Sequence, residues 1–387
     1  MFIFMQVFFW LSLFIIFWAN IGYPISILIL GKIIKRKNSK DYTLKPTVTI
    51  MVVAHNEEEV IFKKLNNLMT IDYPKDKIEF LVASDNSTDN TNNIVEKFIV
   101  DNPDFNLRLF KAKKRMGKTN AQNEAQKNVT TEFLVMTDAN AKLAENSISE
   151  LMASFVSEEI VYVAGRLAYI NEESSETSAS EATYWSLDLR VREIESDIQT
   201  ITAGNGALYA CRNADYIDFD PIESHDSAMP FYYAYKGKRA IANHDAVAFE
   251  KAGENNEDEF NRKVRMNRRI LYRLFNSLQI LNVFKYKWFT YFYFGHRTAR
   301  YLLWLSHLVL LLSNIILSVS LTFFRVVLIL HVLILLISFL KQIGVMKNKL
   351  SVFIHYYTTT IFAQWYGVIN IMTGNAKPFW EKAESTR

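Results

Sequence analysis

A near-continuous run of apolar and β-branched residues occupies positions 47–54, which read TVTIMVVA. Such a run is typical of a strand that is covered on both faces, as the strands of parallel sheets are. Similar runs follow at 78–84, 107–111 and 132–137, and helical patterns lie between them at 57–69, 91–100 and 120–128. Strands that alternate with helices predict an α/β fold with a Rossmann-like, mostly parallel sheet, whose ligands bind at the carboxyl ends of the strands.

The composition of the 387 residues excludes several classes of protein. Half of the residues are hydrophobic and 22% are charged, which excludes a disordered or low-complexity chain. The 44 Lys and Arg residues nearly balance the 40 Asp and Glu residues, so we expect no nucleic-acid partner. Cys211 is the single cysteine of the sequence and cannot form an intrachain disulfide.

The first 31 residues contain no charged side chain, and a basic cluster begins directly after them at Lys32. About 20 apolar residues cross a bilayer as a helix, so 1–31 is predicted to be a transmembrane helix. A cleaved signal peptide is the rival interpretation, but there the basic residues would precede the apolar run. The positive-inside rule then places the following domain, 40–275, in the cytosol. We therefore expect an integral protein of a bacterial-type plasma membrane.

A second apolar region lies near the C-terminus. Residues 276–298 are rich in aromatic side chains and contain several Lys and Arg residues, which favours an interfacial helix over a short cytosolic one. The region 299–376 is expected to lie in the membrane. It contains two apolar stretches that predict spans and an uncharged stretch that is either a third span or a re-entrant segment: 301–324, 326–346 and 350–376. A short tail, 377–387, follows.

Acidic residues directly follow the predicted strands, where ligands of a doubly wound sheet bind. Asp85 could accept hydrogen bonds from a base or a ribose, and Asp138 with Asn140 offers oxygen ligands to a hard divalent cation. Asp226 could act as a general base. The sequence contains neither a glycine-rich dinucleotide fingerprint after the first strand nor a phosphate-binding P-loop, so hydride transfer and P-loop ATP hydrolysis lose their main support.

The order of these polar motifs resembles that of membrane-embedded family 2 glycosyltransferases, the inverting enzymes related to the poly-N-acetylglucosamine, cellulose and hyaluronan synthases. The motifs that carry the resemblance are Asn56-Glu57, Asp85-x-Ser87-x-Asp89, Gly117-Lys118, Asp138-x-Asn140, Gly204-Asn205-Gly206 and His225-Asp226. The resemblance implies a GT-A fold, a UDP-sugar donor, a glycan or lipid-linked acceptor, and Mg²⁺ or Mn²⁺ as the cofactor.

The resemblance also implies a donor side of the site. Asp85 matches the aspartate that contacts the uridine, with Glu57 and Ala54 beside the base. Lys118 matches the lysine of the nucleotide pocket, and Asp138 with Asn140 matches the DxD motif that binds the metal ion. Arg262 and Arg265 match the QxxRW-type motif, where guanidinium groups suit diphosphate oxygens.

On the acceptor side, Gly204, Asn205 and Gly206 match a loop that a sugar approaches, and Asp226 matches the catalytic base. His225 beside it is interpreted as a structural side chain, with an orienting role as the alternative. The basic edge formed by Arg268, Arg269 and Arg273 is interpreted as solvated or lipid-facing.

The sequence departs from the family pattern at two places. Asn140 stands where many relatives have a second Asp, and Met266 stands where processive synthases have a Trp. Three functions therefore stay open. The first is synthesis of an extracellular or capsular polysaccharide with coupled translocation. The second is addition of one sugar to a lipid-linked acceptor, which Met266 favours. The third is a membrane-bound regulator that has lost catalysis, against which the intact Asp85, Asp138 and Asp226 argue.

Overall fold

The computed structural model describes residues 2–170, 176–251 and 256–375, so the predicted tail lies outside the described residues. The N-terminal part consists of helix α1 (Phe2–Phe17), one π-helical turn (Trp18–Gly22) and helix α2 (Tyr23–Ile33). Together they form a continuous and strongly apolar helical stretch, Phe2–Ile33. This stretch is long and apolar enough to cross a bilayer.

The central domain is built on an eight-stranded sheet with the order β3-β2-β1-β4-β7-β6-β8-β5. Its strands are β1 (Val48–Ala54), β2 (Ile78–Ser84), β3 (Leu107–Lys111), β4 (Phe133–Asp138), β5 (Lys142–Leu143), β6 (Ile160–Tyr169), β7 (Leu208–Arg212) and β8 (Arg239–Glu250). Strands β3, β2, β1 and β4 are parallel, as the sequence predicts. Beyond β4 the sheet is mixed, because β7 runs antiparallel to both β4 and β6, while β8 runs parallel to β6.

Helices cover both faces of this sheet. They are α3 (Ile61–Met69), α4 (Thr91–Asp101), α5 (Lys118–Gln126), α6 (Ser147–Ala153), α7 (Glu176–Ile198) and α8 (His225–Tyr235). Two further helices of the domain, α9 (Asn256–Met266) and α10 (Ile270–Asn276), contact the C-terminal helical region instead. All seven residues of β1 are buried, and neighbouring ones enter different cores. Ile50 packs with α3 and α4, whereas Met51 packs with α5 and α8. This two-sided burial explains why β1 reads as an unbroken apolar run.

The predicted interfacial helix 276–298 is divided into short segments that break at Asn282 and Lys287. They are a 3₁₀ turn (Ser277–Leu281), α11 (Val283–Tyr286), α12 (Trp288–Phe292) and a π-helix (Tyr293–Thr298). The helices α13 (Ala299–Tyr301), α14 (Leu303–Ser318), α15 (Thr322–Gln342) and α16 (Lys349–Met372) follow.

Among the described residues, a second helix is long and apolar enough to cross a bilayer, Thr322–Gln342. The segments Trp288–Tyr301 and Leu303–Ser318 meet at 58° and form one further candidate if they are taken together. Helix α16 falls in the third uncharged stretch and contacts the central domain, where Lys263 Nζ donates to Thr360 Oγ1 at 2.7 Å. Apolar helices therefore flank the α/β domain at both ends of the chain.

Candidate active site

Asp85 organises the first part of the site. It directly follows β2 and is 3% exposed. Its backbone N–H donates to the Ala54 carbonyl at 2.9 Å, which joins the ends of β2 and β1. Its carboxylate accepts hydrogen bonds from the backbone N–H groups of Met116 at 3.0 Å and Gly117 at 2.8 Å. Asp85 thus fixes the turn that precedes Lys118, and contact with a nucleotide base stays a prediction for it.

Two neighbouring loops are locked together beside Asp85. Asn56 has a positive φ of 55°, a conformation that Asn tolerates better than most residues. Its side-chain oxygen accepts a hydrogen bond from the Thr88 N–H at 2.8 Å. The backbone N–H of Glu57 donates to Thr91 Oγ1 at 2.8 Å, and the Glu57 side chain is buried. Glu57 therefore lies on the same edge of the sheet as Asp85, and its place beside a base stays a prediction.

Lys118 links the donor-side turn to the DxD position. It begins α5, directly after Gly117, whose φ of 96° suits glycine. Its ammonium forms an ion pair with Asp138 and lies 3.5 Å from the Gly206 carbonyl oxygen. Burial alone would lower the pKa of Lys118, but the carboxylates of Asp138 and Asp226 raise it above the ordinary value. Lys118 is therefore a permanent positive charge at the centre of the site.

Oxygen ligands for a cation lie around Asp138. Asp138 ends β4, its side chain is 31% exposed, and Asn140 lies two residues further along the same turn. Glu250, at the end of β8, is near enough to interact with Asp138. Burial first, and then the charge of Asp138, raise the pKa of Glu250 to about 7 against the effect of Lys118. The buried Glu250 Oε1 has no hydrogen-bond partner among the described residues.

These side chains suit a hard divalent cation, because all of the donors are oxygen atoms. No group of three or more His, Cys, Asp or Glu side chains within the described ranges could hold a metal ion by itself. The fit therefore depends on Asp138 and the Asn140 amide, with the orphaned oxygen of Glu250 nearby and ligand oxygens completing the shell. No role for Glu250 was predicted from the sequence.

A buried lysine, Lys64, forms hydrogen bonds with the residues around Asp138. Lys64 lies on α3 and is 3% exposed. Its ammonium donates to Thr137 Oγ1 at 2.9 Å and to the Ala141 carbonyl at 2.5 Å, on both sides of Asp138. Burial lowers the pKa of Lys64 to about 7, although Asp138 opposes the shift. Sequence reasoning missed Lys64, because a lysine inside an amphipathic helix reads as a solvated residue.

The loop Gly204–Gly206 brings Asp226 to the same place. The Gly204 N–H donates to the Asp226 carbonyl at 2.8 Å. A Cβ atom at Gly206 would lie 3.2 Å from Lys118 Nζ, 3.5 Å from Asp138 Oδ2 and 4.0 Å from Asp226 Cγ. The metal-side aspartate, the lysine and the candidate base therefore surround one small space, as the motif order predicts.

Asn205 has a structural role in this loop. Its amide donates to the Gly165 carbonyl at 2.6 Å, and its oxygen accepts hydrogen bonds from the N–H groups of Ala207 at 3.1 Å and Leu208 at 3.2 Å. The side chain thus fixes the shape of the loop from within. If the loop contacts an acceptor, as predicted, the contact is expected from the backbone of Gly204 and Gly206.

The predicted arginines, Arg262 and Arg265, lie on helix α9. Arg262 forms a two-pronged ion pair with Glu259, at 2.7 and 2.9 Å. Burial, together with the neighbouring Arg262 and Arg268, lowers the pKa of Arg265 to about 10, and Asp138 opposes this shift. Arg265 is thus within electrostatic range of Asp138, while one carboxylate engages Arg262.

The interpretation of the following arginines as a solvated or lipid-facing edge is wrong. Arg269 forms an ion pair with Glu223 at 2.6 Å, and Arg273 donates to Ser227 Oγ at 2.7 Å. Burial lowers the pKa of Arg268 to about 10, and Asp226 opposes the shift, so Arg268 lies within electrostatic range of the candidate base. These contacts could not be predicted from the sequence, because Glu223 and Ser227, the partners of Arg269 and Arg273, lie 46 residues away in the chain, in α8 and the loop before it.

His225 is structural. It is 1% exposed, its Nδ1 lies 2.9 Å from Gln122 Oε1, and its ring stacks on Tyr216. Burial lowers the pKa of His225 to about 3, so the imidazole is neutral at physiological pH. His225 therefore packs behind Asp226, and the structural interpretation of the sequence is the one that this environment favours.

Comparison with known proteins shows which family the central domain resembles. Residues 49–215 match the family model described as glycosyl transferase family 2. The beta-monoglucosyldiacylglycerol synthase of Nostoc sp. is 29% identical over 144 residues, which cover 37% of this chain and 31% of that protein. The poly-beta-1,6-N-acetyl-D-glucosamine synthase of Staphylococcus epidermidis is 26% identical over 108 residues, or 28% of this chain and 25% of that one. The matches thus span about a third or less of these relatives.

The fold of this chain is similar to that of a solved structure. The mannosyltransferase PcManGT of Pyrobaculum calidifontis, solved in complex with GDP-Man and Mn²⁺, has a TM-score of 0.71. It is 20% identical, and the alignment covers 94% of this chain and 99% of that one. The likeness therefore extends beyond the sheet to the flanking helices. Residues 49–215 are thus similar to glycosyl transferase family 2, and the sheet has the mixed, Rossmann-like arrangement of a GT-A fold.

Proposed function

We propose that this protein is a membrane-bound, inverting glycosyltransferase that uses a UDP-sugar and a divalent cation, Mg²⁺ or Mn²⁺. The observation that supports the proposal best is the space beside Gly206, around which Lys118, Asp138 and Asp226 lie within 4.0 Å of one Cβ position. Glycosyl transfer needs positive charge against the leaving diphosphate and a base against the acceptor hydroxyl, and this space has both.

In the proposed reaction, Asp226 accepts the proton of the acceptor hydroxyl while that oxygen attacks the anomeric carbon. The new C–O bond forms on the face opposite the diphosphate, the bond to the diphosphate oxygen breaks, and UDP leaves with the electron pair. This geometry inverts the anomeric configuration. Lys118 is charged and lies beside Asp138, so it can stabilise the negative charge that grows on the leaving group.

The residues that would hold the cation are Asp138 and Asn140. A bound Mg²⁺ or Mn²⁺ would supply Lewis-acid stabilisation to the diphosphate oxygens. Arg265 adds a further positive charge within range of Asp138, although burial disfavours that charge. Asp85 acts indirectly, because its hydrogen bonds to the Met116 and Gly117 N–H groups order the turn before Lys118.

The apolar helices at both ends of the chain support a location in the membrane, with the domain on the cytosolic side and an acceptor that reaches it from the bilayer. The acceptor is a growing polysaccharide or a lipid-linked molecule. Met266, at the position of the synthase Trp, lies exposed on α9 and favours addition of a single sugar. Product length separates the two forms of the proposal: a ladder of products supports a synthase, and one added sugar supports a lipid glycosyltransferase.

The test uses purified full-length protein in nanodiscs with a panel of UDP-sugars, GDP-mannose as a further donor, and Mg²⁺ or Mn²⁺. We expect nucleotide release with at least one UDP-sugar and loss of this release in Asp226→Asn. Asp245→Asn is the matched control, because this exposed carboxylate pairs with Lys40 at 2.6 Å. No release with any donor, or equal release by both variants, contradicts the proposal.

A further inference from the structure

A continuous series of buried polar side chains joins the first apolar helix to the loop that contains Gly204. Its members are Tyr23 on α2, Asp188, Arg192 and Glu195 on α7, and His296 in the π-helix after α12. Each of them is at most 7% exposed. Buried charges are costly unless they are paired, so such a series requires an explanation.

The membrane end of the series contains two carboxylates and an imidazole. Tyr23 OH donates to Glu195 Oε1 at 2.6 Å, and His296 Nδ1 lies 2.8 Å from the same oxygen. His296 Nε2 lies 2.8 Å from Asp188 Oδ1. Both ring nitrogens face carboxylate oxygens, and both can donate only if the ring is doubly protonated. The imidazole thus bridges Glu195 and Asp188.

The catalytic end of the series is Arg192. Its Nε donates to Asp188 Oδ2 at 2.6 Å, and its NH1 donates to the carbonyls of Ala203 at 2.9 Å and Gly204 at 2.8 Å. Arg300 NH1 also donates to Asp188 Oδ1 at 2.6 Å. Although burial opposes it, Arg192, His296 and Arg300 hold the pKa of Asp188 well below its usual range. A charged guanidinium therefore fixes two successive carbonyls of the loop.

The position of the loop in turn affects the positions of the proposed reacting groups. Gly204 donates its N–H to the Asp226 carbonyl, so Arg192 and Asp226 hold opposite sides of one peptide segment. Two residues later, the Gly206 Cβ position is within 4.0 Å of Lys118, Asp138 and Asp226. A misplacement of about 1 Å in such an arrangement can reduce the rate of an enzyme about 100-fold.

The cost of burying these charges argues against a purely stabilising role. Replacement of a buried ion pair by apolar residues is often neutral or stabilising, so the pair itself is weak evidence for stability. At its membrane end the network reaches an apolar cluster through the ring of Tyr23. At its other end it contacts backbone groups beside the site, where a directional guanidinium fork defines geometry better than apolar packing would.

We propose that Arg192, oriented by Asp188 and His296, is a positioning residue for glycosyl transfer, and that Glu195 and Tyr23 tie its position to the first apolar helix. This inference rests on the proposed function. It adds that the N-terminal helix contributes to turnover as well as to membrane attachment.

The test compares three variants in nanodiscs. Arg192→Lys keeps the charge but loses the fork, and Tyr23→Phe removes one hydroxyl while its ring packing stays. Arg190→Lys is the matched control, because Arg190 lies on the same helix but is exposed and pairs with Glu193. We expect kcat to fall at least 10-fold in Arg192→Lys and two- to five-fold in Tyr23→Phe, with the donor KM within two-fold of wild type. Arg190→Lys should match the wild type.

A second measurement needs no activity. Amide hydrogen exchange at residues 203–207 should increase at least 10-fold in Arg192→Lys, and increase to a smaller extent in Tyr23→Phe, because the loop carbonyls lose their anchor. Unchanged exchange in both variants overturns the inference, as does a fall in donor affinity that equals the fall in kcat. Wild-type protein that transfers no sugar, with loop exchange that still responds to Arg192→Lys, defeats the proposed function and leaves the positioning role supported.

Discussion

Replacement by alanine should have different effects at the two glycines of the Gly204–Gly206 loop. Gly206→Ala should keep its stability and lose activity, whereas Gly204→Ala should lose stability. At Gly206, the added Cβ would lie 3.2 Å from Lys118 Nζ and 3.5 Å from Asp138 Oδ2. The first contact is tight, but it is with the end of a flexible side chain, which can move by a few tenths of an ångström. Replacement of Gly by Ala where the backbone allows it stabilises a protein by about 0.4–1 kcal/mol. Gly206→Ala should therefore fold as well as the wild type.

The activity of Gly206→Ala should nevertheless fall. The methyl group occupies the space that Lys118, Asp138 and Asp226 share, where the proposed reacting groups would have to meet. Because errors of about 1 Å in a reacting geometry cost up to about 100-fold, we expect kcat/KM to fall by about 10- to 100-fold. Nucleotide release measured over a range of donor concentrations gives this value.

Gly204→Ala is the contrasting variant. Its Cβ would lie 2.0 Å from the Tyr162 hydroxyl, which is in the buried core beneath the loop, and 3.2 Å from the Asp226 carbonyl. Overpacking of this kind typically costs about 1–3 kcal/mol. Thermal unfolding in nanodiscs should therefore show a lower midpoint for Gly204→Ala and an unchanged or higher one for Gly206→Ala. Wild-type kinetics in Gly206→Ala, or wild-type stability in Gly204→Ala, would refute the assigned geometry.

Three further predictions concern the carboxyl groups. Asp226→Asn should lower turnover at least 1,000-fold while calorimetry shows UDP binding within two-fold of wild type, because an amide cannot accept the acceptor proton; parallel loss of binding contradicts the base assignment. Asp138→Ala should raise the Mn²⁺ concentration for half-maximal UDP binding at least 10-fold, and an unchanged metal requirement removes Asp138 from the cation site. Glu250 has a pKa near 7 in the folded protein against an ordinary value of 4.5, so the folded state binds the extra proton and stability falls as pH rises from about 4.5 to 7. Thermal unfolding of metal-depleted Glu250→Gln should lose this part of the pH dependence, and an unchanged profile would contradict the burial of that carboxyl.

The parallel half of the sheet could be predicted from the sequence because its strands are buried on both faces. In β1 all seven residues are buried, and the corresponding apolar run is visible without any tertiary information. The mixed half could not be predicted in the same way. Strand β8 is twelve residues long, and it pairs with β6 through two irregularities of register, which interrupt the pattern of apolar residues.

The positions of the candidate site residues were predictable where a residue lies at the end of a strand. Asp85 and Asp138 follow β2 and β4, and the carboxyl ends of parallel strands meet at one edge of the sheet. Residues whose role depends on a distant partner were not predictable. Lys64 is defined by contacts with the turn after β4, and Arg269 by Glu223, both far away in the chain. Spacing within one sequence contains no information on such pairs.

The distribution of charge across the site explains how one sheet edge can serve a leaving group and a nucleophile at once. Lys118 pairs with Asp138, and Arg265 lies within range of the same carboxylate, so the positive charges gather on the side of the DxD position. Arg268 lies within electrostatic range of Asp226 instead. A base must keep an oxygen available for the incoming proton, whereas a ligand of a cation must be held in place. Asp138 is held and Asp226 is left accessible, which is the difference in environment that the two assigned roles require.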